Sequence, residues 1–141
     1  MRASDILIEA IKGFEGFRAE AYKCPAGVWT IGYGHTAGVK KGQKVSKAQA
    51  EELLRKDLSR TEDYVNKLGV CKTQGQFDAL VDFAYNIGMS ALGSSTLIKK
   101  IRAGAPTVEI QTQFRRWVYA GKKLLPGLVR RREWEAKRWA E

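Results

Sequence analysis

Apolar residues recur along most of this chain at helical spacing, and polar residues between the runs mark starts and stops. Ile6, Leu7, Ala10 and Ile11 form the first apolar face, with Ser4 as N-cap and Asp5 at the positive helix end. Gly13 and Gly16 bracket its exit. The pattern then changes. Tyr22, Val28, Trp29, Ile31 and Tyr33 favour strands, and Gly27, Gly32 and Gly34 allow tight turns, so a small sheet is expected. Residues 40–43 read as a polar loop. Ser46 and Gln49 make a capping box for a long helix to about Leu68. Its stripe is Ala50, Leu53, Leu54, Leu58, Val65 and Leu68, and Gly69 is its C-cap. Thr73 and Gln76 make a second box. The helix it opens, from about Gln74 to Tyr85, presents Phe77, Leu80, Val81 and Ala84 for burial, and Asn86-Ile87-Gly88 ends it. A short helix covers about Thr96 to Arg102 and stops at Gly104. Pro106 opens another through about Val118, anchored by Phe114 and Trp117. Gly121-Lys122-Lys123 reads as a loop, and a last helix runs from near Pro126 almost to Glu141.

Length and composition bound this picture. The 141 residues suit one domain with a core of its own. No run of about 18 apolar residues is present to span a membrane. Asp5 and Glu9 break the N-terminal segment, which lacks the apolar centre of a secretory signal. Cys24 and Cys71 lie far apart with a long helix between them and are expected as free thiols, as in a reducing cytoplasm. His35 is the single histidine, so no Cys/His cluster suggests a metal. The net charge is +10, and residues 99–141 carry 12 Lys/Arg against 4 Asp/Glu. Such a basic half suggests an anionic partner: nucleic acid, a membrane surface or an acidic polymer.

Candidate chemistry concentrates between Gly13 and His35. Glu15 sits where the first helix gives way to the sheet, Cys24 precedes a Pro25-Ala26-Gly27 turn, and Thr30 lies on the returning strand. A return turn can bring all three to one cleft. Cleaving a glycosidic bond needs an acid for the leaving oxygen and a second group that guides water or attacks the sugar. Burial by Phe14 and Phe17 would raise the pKa of Glu15 and keep its proton; the plain alternative is a surface or capping carboxylate. Cys24 as a thiolate could be base, nucleophile or electrostatic partner. Lowering a thiol's pKa calls for a positive neighbour, and Lys23 would point to the other strand face. The plain alternative for Cys24 is a small packed hydrophobe.

Several ordered segments resemble the phage-type lysozymes of glycoside hydrolase family 24. They are E-G-F-R at 15–18, A-Y-K-C at 21–24, W-T-I-G-Y-G-H-T at 29–36, F-D-A-L-V-D-F-A-Y-N-I-G at 77–88, S-T-L at 95–97, F-R-R-W at 114–117 and L-P-G-L-V-R-R-R at 125–132. The resemblance implies an α+β, mainly α fold of two lobes, a small β-sheet lobe and a helical lobe joined by a long helix, within one lysozyme domain over 1–141. It implies an endolysin muramidase that hydrolyses the β-1,4 bond between N-acetylmuramic acid and N-acetylglucosamine in peptidoglycan, without cofactor or metal. Glu15 would be the general acid. Cys24 stands where many relatives carry aspartate, and Thr30 would hold the attacking water opposite Glu15, giving inversion. Tyr33, Tyr85, Asn86 and Thr96 would be sugar contacts, His35 a structural anchor and Glu20 a solvated strand residue. The resemblance further implies a monomer made in the host bacterial cytoplasm without a signal peptide, reaching the cell wall after holin-type release to lyse the host.

Two other functions compete. A lytic transglycosylase would cut the same bond and close an anhydro ring instead of adding water; the Cys24–Thr30 pair argues against it. A basic module binding membrane or nucleic acid would need the C-terminal charge and not Glu15, and nucleic acid is not the expected partner. In the last helix Arg130, Arg131, Trp134, Lys137 and Arg138 share one face, with Val129, Ala136 and Trp139 nearer the other. A basic face holding a tryptophan suits an anionic membrane or lipopolysaccharide surface. The preferred reading is a solvated face with Trp134 packed on a neighbouring helix.

Overall fold

A computed structural model describes residues 1–141, which form seven helices and four short strands. In chain order these are α1 (Asp5–Glu15), β1 (Arg18–Lys23), β2 (Trp29–Gly32), α2 (Lys47–Leu68), α3 (Gln74–Ile87), α4 (Met89–Gly93), α5 (Thr96–Arg102), α6 (Thr107–Arg115), β3 (Tyr119–Ala120), β4 (Lys123–Leu124) and α7 (Pro126–Trp139). This is the expected mainly helical α+β fold with a small sheet. The chain divides into a unit of Asp5–Ser59 and a unit of Met1–Ser4 with Arg60–Glu141. Helix α2 runs from the first into the second.

In the Asp5–Ser59 unit, α1 buries Leu7, Ile8 and Ile11, whereas Ile6, expected on that face, is exposed. Strands β1 and β2 pair antiparallel, Tyr22 opposite Thr30 and Lys23 opposite Trp29, and the register shifts between Arg18 and Tyr22. Tyr33 lies beyond β2, in a tight turn closed by paired Ile31 and His35 backbone bonds of 2.9 Å. The polar loop does more than connect. Its end pairs along β1, with Ala21 N–H to Gln43 O and Val45 N–H to Ala19 O at 2.9 Å. The Ser46–Gln49 capping box forms in both directions, at 3.1 and 2.8 Å. The sheet lies close on α2 because Gly32 lacks a side chain: a Cβ there would sit 2.9 Å from Ala50 Cβ, at a φ of +64°. His35 is held at both ring nitrogens, by Asp57 at 2.8 Å and by Ala37 O at 2.9 Å, which is the anchoring role expected of it.

In the other unit, α3 is buried almost all round, which marks it as the centre of a helical layer. Thr73 caps it as expected, but Gln76 returns its side-chain oxygen to Lys72 N–H rather than to the cap residue. Phe83 meets Phe114 and Trp117 edge-on at 5.8 and 5.4 Å between ring centres, and Phe114 meets Trp139 at 5.9 Å. Gly75 lets the end of α7 approach: a Cβ there would fall 2.4 Å from the carbonyl oxygens of Arg138 and Glu141. Three elements depart from the sequence reading. A short helix, α4, follows Gly88 with no side-chain cap to announce it. Helix α6 stops at Arg115 instead of Val118, and the supposed loop at 121–123 is the tip of a hairpin, Tyr119 pairing with Leu124 and Ala120 with Lys123. Gly121, at φ +63°, is the first of its two turn residues, the place where a II′ hairpin turn requires glycine.

The basic face expected on α7 is not a solvent face. Arg131, Arg132 and Arg138 are buried. Arg131 donates to Asp82 through Nε and Nη2, the latter at 2.8 Å, and Arg138 donates to Asp78 at 3.1 and 2.8 Å. Asp78 also accepts from Ser4 and Gln74. Arg130 and Lys137 stay exposed, and Trp134 is half-buried. The reason is periodicity: Arg131, Glu135 and Arg138 form an i, i+4, i+7 stripe that faces the carboxylates of Asp78 and Asp82 one turn apart on α3.

Candidate active site

Glu15 is the last residue of α1. The helix closes behind it through Gly16, at φ +73°, whose N–H bonds Lys12 O at 2.9 Å. The carboxylate lies against the turn after β2. A Cβ placed on Gly34 would stand 3.1 Å from Glu15 Oε2, and Gly34 holds a φ of +88°. A side chain at 34 would therefore meet both backbone strain and the carboxylate. Glu15 is exposed, while Phe14 and Phe17 are each half-buried. Glu15 is thus less enclosed than expected, and the Phe17 ring packs on Tyr33, at 5.4 Å between centres.

Cys24 and Thr30 do come together. Cys24 sits in the turn after β1, its N–H bonded to Val28 O at 3.0 Å and its carbonyl accepting from Gly27 N–H at 2.8 Å. Thr30 is buried on β2 and its hydroxyl donates to Val28 O at 3.0 Å. The backbone N–H of Val28, then that of Ala26, hold the Cys24 thiol below the ordinary cysteine value; the Thr30 hydroxyl adds to this, and partial burial opposes it. No lysine or arginine is needed, contrary to the expectation of a positive neighbour. Lys23, the adjacent cation, lies over the Trp29 ring at 5.5 Å. A hydroxyl has one proton to donate, so an ionised Cys24 and the Val28 carbonyl compete for that of Thr30. Cys71 is the opposite case: burial pushes its thiol up to about 12. Both cysteines are free, as expected.

The remaining sequence candidates divide between the units. Tyr33 belongs with Glu15, Cys24 and Thr30, but it is only 7% exposed and its ring is packed on Phe17, which leaves little face for a sugar. Lys12 Nζ stands 5.7 Å from its centre, and ion pairs to Glu51 and Glu9 hold that lysine's pKa up. Tyr85, Asn86 and Thr96 lie in the other unit: the first two are half-buried on the last turns of α3, and Thr96 is exposed at the start of α5. The Asn86 side-chain oxygen accepts from Arg132 Nη2 at 2.7 Å.

Sequence reasoning missed Arg132 and its surroundings. Its guanidinium is wholly buried, donates to Glu135 Oε2 at 2.8 Å and to Trp117 O at 3.4 Å, and lies 5.2 Å from the Phe83 ring centre. Arg132 Nε and Glu135 Oε1 are 2.7 Å apart at an angle that makes no hydrogen bond. Burial, then the neighbouring Asp82, raises the Glu135 carboxyl well above its usual range, against the pull of Arg132. The available signal was two aspartates four residues apart in the otherwise apolar run 77–84, with three consecutive arginines downstream.

Comparison with known proteins supplies the family. Residues 12–135 match the phage lysozyme family model. The endolysin of Acyrthosiphon pisum secondary endosymbiont phage 1 is 40% identical over 140 residues, 96% of this chain and 95% of that protein. The endolysin of Bacillus phage B103 is 46% identical over 139 residues; the match takes in 96% of this chain and 52% of that protein, so this chain spans about half of its length. Among solved structures, the muramidase domain of SpmX from Asticaccaulis excentricus superposes with a TM-score of 0.91 at 37% identity, covering 99% of this chain and 98% of that one. No helix is long and apolar enough to cross a membrane. The chain belongs to the phage lysozyme family and is a peptidoglycan-degrading lytic enzyme.

Proposed function

We propose that the chain is an endolysin muramidase acting as one functional domain. It hydrolyses the β-1,4 bond between N-acetylmuramic acid and N-acetylglucosamine, with inversion and without cofactor, and lyses the host after holin-type release. The observation that carries the mechanism is the Cys24–Thr30 pair, a thiol held toward ionisation beside a buried hydroxyl, in the same unit as the exposed Glu15. That a structural relative is named a muramidase domain supports the choice of bond.

The chemistry assigns each group one task. Glu15, in its acid form, gives a proton to the glycosidic oxygen as the bond from that oxygen to the anomeric carbon breaks. Thr30 and Cys24 hold a water on the opposite face of the sugar. The water oxygen bonds to the anomeric carbon, and its proton passes to the Cys24 thiolate. Such a division of acid and base is how inverting glycosidases work, and it leaves both groups one proton exchange from their starting state. Activity then falls as pH drops through the pKa of the thiol, because the base is lost when Cys24 takes up its proton. Peptidoglycan is the partner and the protein acts as a monomer.

Release of dye from labelled, purified peptidoglycan tests the assignment. Glu15→Gln keeps the shape and removes the proton, so a loss of at least about 100-fold is expected with the melting temperature unchanged. Activity within a few-fold of wild type would remove Glu15 from the mechanism.

A further inference from the structure

We infer that Arg132 is a positioning residue that turns Asn86 into a dedicated hydrogen-bond donor for an acceptor oxygen of the glycan, such as an acetamido carbonyl. This rests on the reading of Asn86 as a sugar contact.

An asparagine amide has an oxygen end that accepts and a nitrogen end that donates, and the two ends are nearly isosteric. A half-exposed asparagine on a helix could present either. A guanidinium only donates. Arg132 Nη2 stands 2.7 Å from the Asn86 side-chain oxygen, which fixes the oxygen end inward and leaves the nitrogen as the end that can meet a ligand. Arg132 is itself immobile. It is wholly buried and touches three elements: Phe83 and Asn86 on α3, the Trp117 carbonyl at the root of the β3–β4 hairpin, and Glu135 on its own helix. A side chain with no exposed surface cannot contact a polysaccharide, so any influence on substrate passes through Asn86 or the hairpin root. Glu135 completes the device by accepting the other Nη2 proton at 2.8 Å, which keeps the guanidinium from rotating off the amide. Lysine in place of Arg132 would keep the charge and lose the fixed planar fork that aims Nη2 at Asn86 and Glu135 while Nη1 holds the Trp117 carbonyl.

The test uses the intact protein and soluble, uncrosslinked glycan fragments. Asn86→Asp keeps an acceptor for Arg132 and removes the outward donor. We expect its apparent KM to rise about tenfold, the worth of one hydrogen bond, with kcat changed by less than about threefold. Arg132→Lys should raise KM by a similar factor, and the double variant should be no worse than Asn86→Asp alone, because both changes act through one amide. An Arg132→Lys protein with wild-type KM beside an impaired Asn86→Asp would overturn the positioning role and leave the sugar contact standing. An Asn86→Asp protein with unchanged KM would instead remove Asn86 from the substrate site, and the inference with it. Should Arg132→Lys fail to fold, the side-chain amide resonances of Asn86 in ¹⁵N-labelled, inactive Glu15→Gln protein decide. One slowly exchanging pair that shifts on adding the fragments is expected. Resonances unmoved at saturation would overturn the proposal.

Discussion

The two units of this lysozyme handle polar groups in opposite ways. In Asp5–Ser59 the two groups proposed to exchange protons stand at or near the surface: Glu15 is exposed, and Cys24 is only partly buried in a turn whose N–H groups favour its thiolate. In Met1–Ser4 with Arg60–Glu141 the charged groups of interest are inside. Asp78, Asp82, Glu135, Arg131, Arg132 and Arg138 are all buried; Asp78 and Asp82 of α3 bind Arg138 and Arg131 of α7, and Glu135 pairs with Arg132 within α7. The cysteines report the same contrast, one thiol held down by backbone donors and the other pushed up to about 12 by burial. The lesson is that a polar residue's neighbours decide whether it reacts or braces. A surface group with backbone donors stays available, whereas a buried one must find a partner or change its protonation.

The contrast breaks hardest at Asp78. Asp78→Ala removes the carboxylate that neutralises the buried Arg138 and that Ser4 and Gln74 also donate to. A loss of about 3–5 kcal/mol is expected, read by urea unfolding, because an uncompensated buried charge remains. A loss below about 1 kcal/mol would mean that the network contributes little.

In the other unit the sharpest probe is Gly34→Ala. At φ +88° an alanine costs about 1–3 kcal/mol of strain. Its Cβ would also stand 3.1 Å from Glu15 Oε2, so the carboxylate must give by a few tenths of an ångström, and a misplaced proton donor loses rate. Activity should therefore fall far more than stability, as dye release beside thermal melting would show. Equal and small losses in both would detach Gly34 from Glu15.

The smallest effect separates the cysteines. The thiolate is the reactive form, so alkylation speeds up as pH rises through a thiol's pKa. Cys24 should show its midpoint below that of an ordinary cysteine, while Cys71 should stay inert until near pH 12. Thr30→Val should move the Cys24 midpoint upward by removing one of its donors. Mass-resolved iodoacetamide labelling against pH reads both sites at once.

How much of this was legible in the sequence follows the same divide. Local signals were reliable: the Ser46–Gln49 box, the Thr73 cap, the Gly69 stop and the Pro126 start are each written within four residues. The Cys24–Thr30 pair was legible too, because one hairpin turn brings it together. Signals that depend on distant neighbours were not. Arg131 and Arg138 looked like solvated charge, because nothing within α7 reveals the aspartates of α3, 49 and 60 residues away, that bind them. The packing of Tyr33 on Phe17 was hidden for the same reason, because the two rings lie on either side of the β1–β2 hairpin. The β3–β4 hairpin, two residues to a strand, was too short to show alternation.

The central claim is that this site adds water across the glycosidic bond, with the Cys24–Thr30 pair holding that water. Mass spectrometry of the soluble products from purified peptidoglycan digested in ¹⁸O-labelled water tests it most directly. The account expects muramic acid with ordinary reducing ends, each new end carrying one heavy oxygen. Products lighter by one water and free of label would mean that the muramic acid has closed on itself, and would contradict hydrolysis altogether.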